Sequence, residues 1–248
     1  MSDRRGGAAH ASKGQYGLDA PVVIRNLIGI GLLLAGGSIA AFLFRGWVWL
    51  IVGAWLGLVS VFCLAEAVYM IWSSKRGKAI VVRKMLDMLQ LRGDEHVLDV
   101  GCGRGFVLIA AARRLTGGRA TGIDIWNSRD QSGNHPDIPL RNAERENVFD
   151  RITIVHADAR QMPFEAHTFD VVVSSLALHN IPHEAERKRA IEEIARVLKP
   201  GGKVALLDFR YADAYARALT EAGFKEVAVS RRHLQMFPPV RIVTGLRS

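Results

Sequence analysis

Two apolar runs separated by a single arginine dominate the first third of the chain. From Asn26 to Phe44, and again from Gly46 to Ala65, no charged side chain occurs, and Arg45 alone stands between the runs. As a helix, each run crosses about 30 Å of hydrocarbon. Helices this apolar on every face need either lipid or a large protein around them, and the chain has only 248 residues. The pattern predicts a transmembrane α-hairpin over residues 22–74. Gly53 and Gly57 form a small-xxx-small pair that lets helices approach closely, while Trp47 and Trp49 mark one interface and Tyr69 and Trp72 the other.

The flanking pattern differs on each side. Residues 1–21 are small and polar without helical or strand period, which predicts a disordered cytosolic tail. Over residues 75–248, short β-branched runs alternate with helical periods, the sign of a parallel α/β sheet. Strands are expected at His96–Val100, Ala120–Ile125, Ile152–His156, Phe169–Ser174, Lys203–Asp208, Glu226–Ser230 and Val240–Leu246. Helices are expected between them, notably at Gly105–Leu115, Ala185–Leu198 and Ala212–Ala222.

Charge sets the orientation of the hairpin. Arg4, Arg5, Lys13 and Arg25 precede the first run, and Lys75, Arg76, Lys78, Arg83 and Lys84 follow the second, so both ends should face the cytoplasm. The net charge of +9 and a pI near 10.0 would also suit nucleic acid. The basic residues are scattered through helices, however, with no aromatic-interleaved stripe, so no nucleic-acid partner is expected. The only cysteines, Cys63 and Cys102, sit in an apolar run and a glycine turn, which gives neither a disulfide nor a metal site.

The chemistry concentrates in Val97-Leu98-Asp99-Val100-Gly101-Cys102-Gly103-Arg104-Gly105, an apolar strand ending in a glycine turn that opens a helix. Such a turn brings backbone N–H groups close to a ligand at a helix N-terminus. The dinucleotide fingerprint G-x-G-x-x-G fails here, because Phe106 stands where its third glycine belongs. The run instead resembles the first motif of class I S-adenosylmethionine methyltransferases, an acidic residue followed by G-x-G-x-G. Further segments match that family in order: Gly122-Ile123-Asp124-Ile125, His156-Ala157-Asp158-Ala159, the strand from Phe169 to Ser174 continuing to Asn180, and Arg196 to Lys203 around Lys199-Pro200-Gly201-Gly202. In all, the resemblance spans residues 75–248.

The resemblance implies a Rossmann-like, doubly wound seven-stranded sheet with S-adenosyl-L-methionine as cofactor. Carried over position by position, it makes Asp99, Gly101, Cys102, Gly103 and Gly105 the turn around the methionyl end. It makes Asp124, with Ile125 beside it, the acceptor of the ribose hydroxyls, and Asp158 and Ala159 the adenine contacts. Ser174 then lines the methyl-donor pocket. His179, just past the fourth strand, is the candidate general base for a hydroxyl, amine or acidic-carbon acceptor; a structural histidine is the alternative, and a thiol acceptor needs no base.

Between the second and third strands, Trp126 to Asn147 exceeds the family's usual link, and its polar stretch Asn127 to Pro136 is a candidate lid or an ordinary loop. The expected function is a membrane-anchored methyltransferase acting on a small, lipophilic or membrane-derived acceptor. Its partners would be the acceptor, the bilayer and, through its helices, a second copy in a dimer. The rivals are a soluble small-molecule acceptor, and a non-catalytic or NAD(P)-binding protein tethered to the membrane.

Overall fold

The computed structural model describes residues 14–126 and 135–248, so most of the candidate lid (127–134) lies outside the described residues. The chain divides into two compact units.

One unit holds residues 17–81 together with the loop His233–Pro239. Helix α1 (Pro21–Phe42) opens with proline at its first position, where a missing N–H costs nothing. Helix α2 is Trp47–Trp72. Ile24, Gly31 and Ser38 of α1 and Gly53, Ser60 and Ala67 of α2 are buried, each set spaced by seven residues, the repeat of a left-handed seam. Small residues bring the backbones together: Ser38 Oγ donates to Gly53 O and Ser60 Oγ to Gly31 O, both at 2.7 Å. A Cβ on Gly57 would lie 3.0 Å from Ser38 Oγ, so the expected close approach at this glycine is present. Away from the seam the surface is apolar and bare, with Leu33 75% and Leu43 81% exposed. By length and composition both helices are able to cross a membrane.

The second helix does not end where its apolar run ends. A π-helical turn (Ser73–Gly77) carries it into α3 (Lys78–Leu89), giving 43 continuous helical residues from Trp47 to Leu89. The domain boundary expected after residue 74 therefore falls inside a helix, and the units divide between Val81 and Val82. No proline stands between Ser73 and Leu89, and the helix passes through Gly77 as a π-helical turn without ending.

The other unit holds residues 14–16, 82–232 and 240–248 of the described chain. Its sheet comprises β1 (His96–Val100), β2 (Arg119–Asp124), β3 (Ile152–His156), β4 (Phe169–Ser175), β5 (Leu198–Asp208), β6 (Phe224–Val229) and β7 (Arg241–Arg247). Their order is β3-β2-β1-β4-β5-β7-β6; β1 to β5 are parallel, and β7 runs antiparallel to both neighbours. Helices α4 (Phe106–Ala112), α5 (Asp137–Arg145), α6 (Glu184–Val197) and α7 (Ala212–Glu221) connect the strands. This is the expected Rossmann-like seven-stranded fold, preceded by the expected pair of N-terminal helices. The parallel strands β1 and β4 are buried on both faces, which explains their continuous apolar runs.

One local difference has a physical cause. The strand expected from Lys203 begins at Leu198, because the helix stops at Val197 and Lys199–Gly202 form an irregularity in the pairing with β4, with Gly201 at φ +75°. Helix α5 lies in the second half of the long link from Trp126 to Asn147, after the polar stretch that ends at Pro136; it is short, and Pro139, Asn142 and Ala143 are its buried residues.

Candidate functional site

The order of winding reverses between β1 and β4, and in such sheets ligands bind outside the carboxyl ends of the strands at that switch point. Register determines what stands along this edge. Val100 pairs with Ser174 and Ile123, Asp124 with His156, and Ser175 with Leu207. The turn after β1, the acids ending β2 and β5, and the serines ending β4 thus share one edge.

The glycine turn folds over β2: the N–H groups of Gly101 and Cys102 both donate to Ile123 O, at 2.8 and 3.0 Å. Gly101 has φ +76°, and a Cβ there would lie 2.2 Å from Ala177 Cβ, so no other residue fits without moving the loop after β4. Gly105 has φ +81° and faces Pro139, whose Cβ would be 2.9 Å from an added methyl. The Cys102 side chain packs inward, where Gly122 leaves room for its sulfur, and burial followed by the Asp99 and Asp124 carboxylates pushes its thiol well up. Cys102 therefore presents backbone, not thiolate, to the edge.

The Asp124 carboxylate ties this edge together, accepting Gly103 N–H at 2.9 Å and Trp126 N–H at 2.8 Å. Ile125 is 46% exposed beside it, an apolar surface for a flat base. Asp99 lies one residue inside β1, beneath the turn, and is 1% exposed. Ser174 Oγ donates to Val100 O at 2.8 Å and so joins β4 to β1. Asp158 is held by Arg160, whose guanidinium also bonds Glu186; the Arg160 hydrogen bond holds the Asp158 carboxyl below its ordinary value. Ala159 packs against the core.

The edge fits an adenosyl sulfonium. Ser175 Oγ and Trp126 Nε1 are buried there with no hydrogen-bond partner among the described residues, and buried polar groups left unpaired are costly. A ligand with hydroxyl and amine groups would meet that need.

His179 lies past β4, its Nδ1 2.9 Å from Oδ1 of Asp208, the residue that ends β5. The pair is close but off the line of a formed hydrogen bond, a common state of catalytic contacts before substrate binds. Asp208 is 3% exposed and locked in place: Oδ1 accepts the N–H groups of Phe209 and Arg210, and Oδ2 accepts Tyr215 Oη at 3.2 Å. Burial, then the Asp208 carboxylate, pushes the Tyr215 hydroxyl up, so it stays protonated and donates. The Phe209 ring meets the His179 ring edge-on at 4.5 Å. Arg187 of α6 joins the two loops beside His179, donating to Ile181 O and Pro182 O while lying 3.8 Å over the Tyr211 ring.

Sequence reasoning missed Asp208, although its signal, an acid ending an apolar strand as Asp124 does, was visible. It also missed Asn142, which is 1% exposed. The Asn142 amide donates to Arg104 O inside the glycine turn and to Gln15 O, and its carbonyl accepts Gln15 N–H. Tyr16 completes this contact, its ring edge-on to Phe106 at 4.8 Å and its hydroxyl donating to Glu146. Residues 14–16 of the expected tail are thus held against the turn. Replacing Asn142 with alanine should cost about 1–3 kcal/mol, since buried partners lose their bonds. Denaturant unfolding checks this, and a midpoint equal to that of the parent would refute it.

Residues 98–206 match the family model described as a methyltransferase domain. The chain is 34% identical over 154 residues to 27-O-demethylrifamycin SV methyltransferase of Amycolatopsis mediterranei, covering 59% of this chain and 52% of that protein. It is 36% identical over 129 residues to a sterol 4-C-methyltransferase of Caenorhabditis elegans, covering 52% of this chain and 35% of that one. The chain thus spans about half or less of the length of these relatives. A S-adenosylmethionine-dependent methyltransferase structure from Aquifex aeolicus superposes with a TM-score of 0.54 at 18% identity, over 67% of this chain and 89% of the other; that likeness concerns the fold.

Proposed function

We propose that this chain, whose residues 98–206 are a class I methyltransferase domain with S-adenosylmethionine as cofactor, is a membrane-anchored enzyme methylating a small lipophilic acceptor. The His179–Asp208 pair beside the glycine turn carries the assignment of transfer chemistry. The bare apolar surface of α1 and α2, together with relatives named for a sterol and for a rifamycin, supports a lipophilic acceptor.

When bound, the cofactor supplies a methyl group on a sulfonium, which leaves as a neutral thioether. The chain's own work is alignment and proton handling. Gly101, Gly103 and Gly105, having no side chains, leave room at the turn for the methionyl end, Asp124 accepts from the ribose, and Asp158 with Ala159 faces the adenine. His179 takes the acceptor's proton at Nε2. Asp208 orients the ring from Nδ1 and stabilises the cation that forms, as a buried carboxylate does for a catalytic imidazole.

Basic residues flank the helices at both ends and only Arg45 lies between, so both ends face the cytoplasm and the hairpin spans the membrane twice. The test reconstitutes the full chain in liposomes with methyl-labelled cofactor and offers either a membrane lipid extract or an aqueous metabolite extract. Label should enter the organic-extractable products. Label confined to water-soluble thiols or amines would remove the lipophilic acceptor, and no labelled product from either extract would remove the enzyme.

A further inference from the structure

The loop between β6 and β7 belongs to the helical unit, not to the unit of the strands it joins. Its described contacts gather near the end of α2 and the start of α1. Phe237 packs with Ile24, Ala67 and Met70, and its ring meets Tyr69 at 5.7 Å. Phe237 N–H donates to Ser73 Oγ at 2.7 Å, and the Tyr69 hydroxyl donates to Leu234 O. Gly77 makes room for the loop, since a Cβ there would lie 1.6 Å from Gln235 O. The loop is therefore built onto the helix between Tyr69 and Gly77.

That level has a chemical meaning. Tyr69 and Trp72 are stacked at 6.2 Å about one turn beyond Glu66, where the uncharged run has ended, and Lys75 and Arg76 follow. In a spanning helix, aromatic residues followed by basic ones mark the boundary between acyl chains and headgroups. Leu234, whose carbonyl accepts the Tyr69 hydroxyl, is 64% exposed, Trp72 is 42% exposed, and the exposed Arg231 and Arg232 immediately precede the loop. An exposed apolar tip beside basic residues is the composition of an interfacial anchor.

We infer that the loop 231–239 is a second membrane contact, with Leu234 seated in the headgroup and acyl boundary and Arg231 and Arg232 facing anionic lipid headgroups. The occupant of this surface is the bilayer. The inference rests on the reading that α1 and α2 span, and it goes beyond it. Because β6 and β7 continue directly from the loop, the strand unit is joined to the membrane through two chain connections, α3 and this loop.

The test uses the full chain in liposomes of phosphatidylcholine and phosphatidylglycerol. An environment-sensitive fluorophore is placed at Leu234→Cys, or separately at Leu33→Cys as the span control, with Cys63→Ala and Cys102→Ala. The expected result at position 234 is blue-shifted emission, loss of emission with lipids spin-labelled near the headgroup, and protection from iodide. Position 33 should be quenched by lipids spin-labelled deep in the acyl chain. Water-like emission and iodide quenching at position 234, with position 33 still quenched by deep labels, would overturn the loop contact and leave the span. Absence of deep quenching at position 33 would overturn both. Should the cysteine changes prevent folding, photoactivatable lipid carrying its reactive group near the headgroup should form adducts on residues 231–239 of the unsubstituted chain, and adducts absent there while present on α2 would refute the proposal.

Discussion

Asp124→Ala should lower affinity for S-adenosylmethionine by about 10²–10⁴-fold while leaving the sheet folded. Two hydrogen bonds from ribose hydroxyls to a charged acceptor are each worth about 1.5–3 kcal/mol, and each 1.4 kcal/mol is about tenfold in affinity. The same carboxylate accepts Gly103 N–H and Trp126 N–H, so its loss also frees the glycine turn at its centre. Binding and shape thus fail together. Asp124 ends β2 and is only partly buried, which is why the strand should survive. Calorimetry measures the affinity and far-ultraviolet circular dichroism the fold. Parental affinity in the variant would remove Asp124 from the site.

His179→Ala should lower kcat by about 10²–10⁴-fold, the usual contribution of a positioned acid or base, with cofactor affinity unchanged. Asp208→Asn should reproduce part of that loss, because an amide cannot stabilise the imidazolium that Nδ1 carries after proton transfer. Asp208 is a positioning residue, and the split between kcat and cofactor affinity separates this role from a structural one. Its buried carboxylate also anchors Phe209, Arg210 and Tyr215, so Tyr215→Phe is the milder companion that keeps the turn. A kcat equal to the parent's in His179→Ala would make that histidine structural. It would also point to an acceptor, such as a thiol, that arrives already deprotonated.

The two units solve different solvation problems with one chain. In the helix pair, serine hydroxyls donate to backbone carbonyls of the opposite helix, so the polar groups of an apolar seam are satisfied within the pair. In the α/β unit, strands buried on both faces leave only their ends for polar groups, and there Asp124, Ser175 and Asp208 stand.

Much of this was legible in the sequence. Uncharged runs of membrane length specify helices by composition alone, and short β-branched runs placed β1, β3 and the start of β4 at their observed residues. The G-x-G-x-G turn was readable because positive φ together with close neighbours favours glycine, as Gly101 and Gly105 show. What remained hidden involved partners distant in sequence. Asp208 lies 29 residues beyond His179 and meets it only because β4 and β5 are neighbours in register. Asn142 reaches back 127 residues to Gln15, and the loop around Leu234 settles 165 residues away against Tyr69. Period and propensity are local quantities of a few turns or strands. The pairing of side chains across such distances is determined by strand order and helix packing, which only the folded chain possesses.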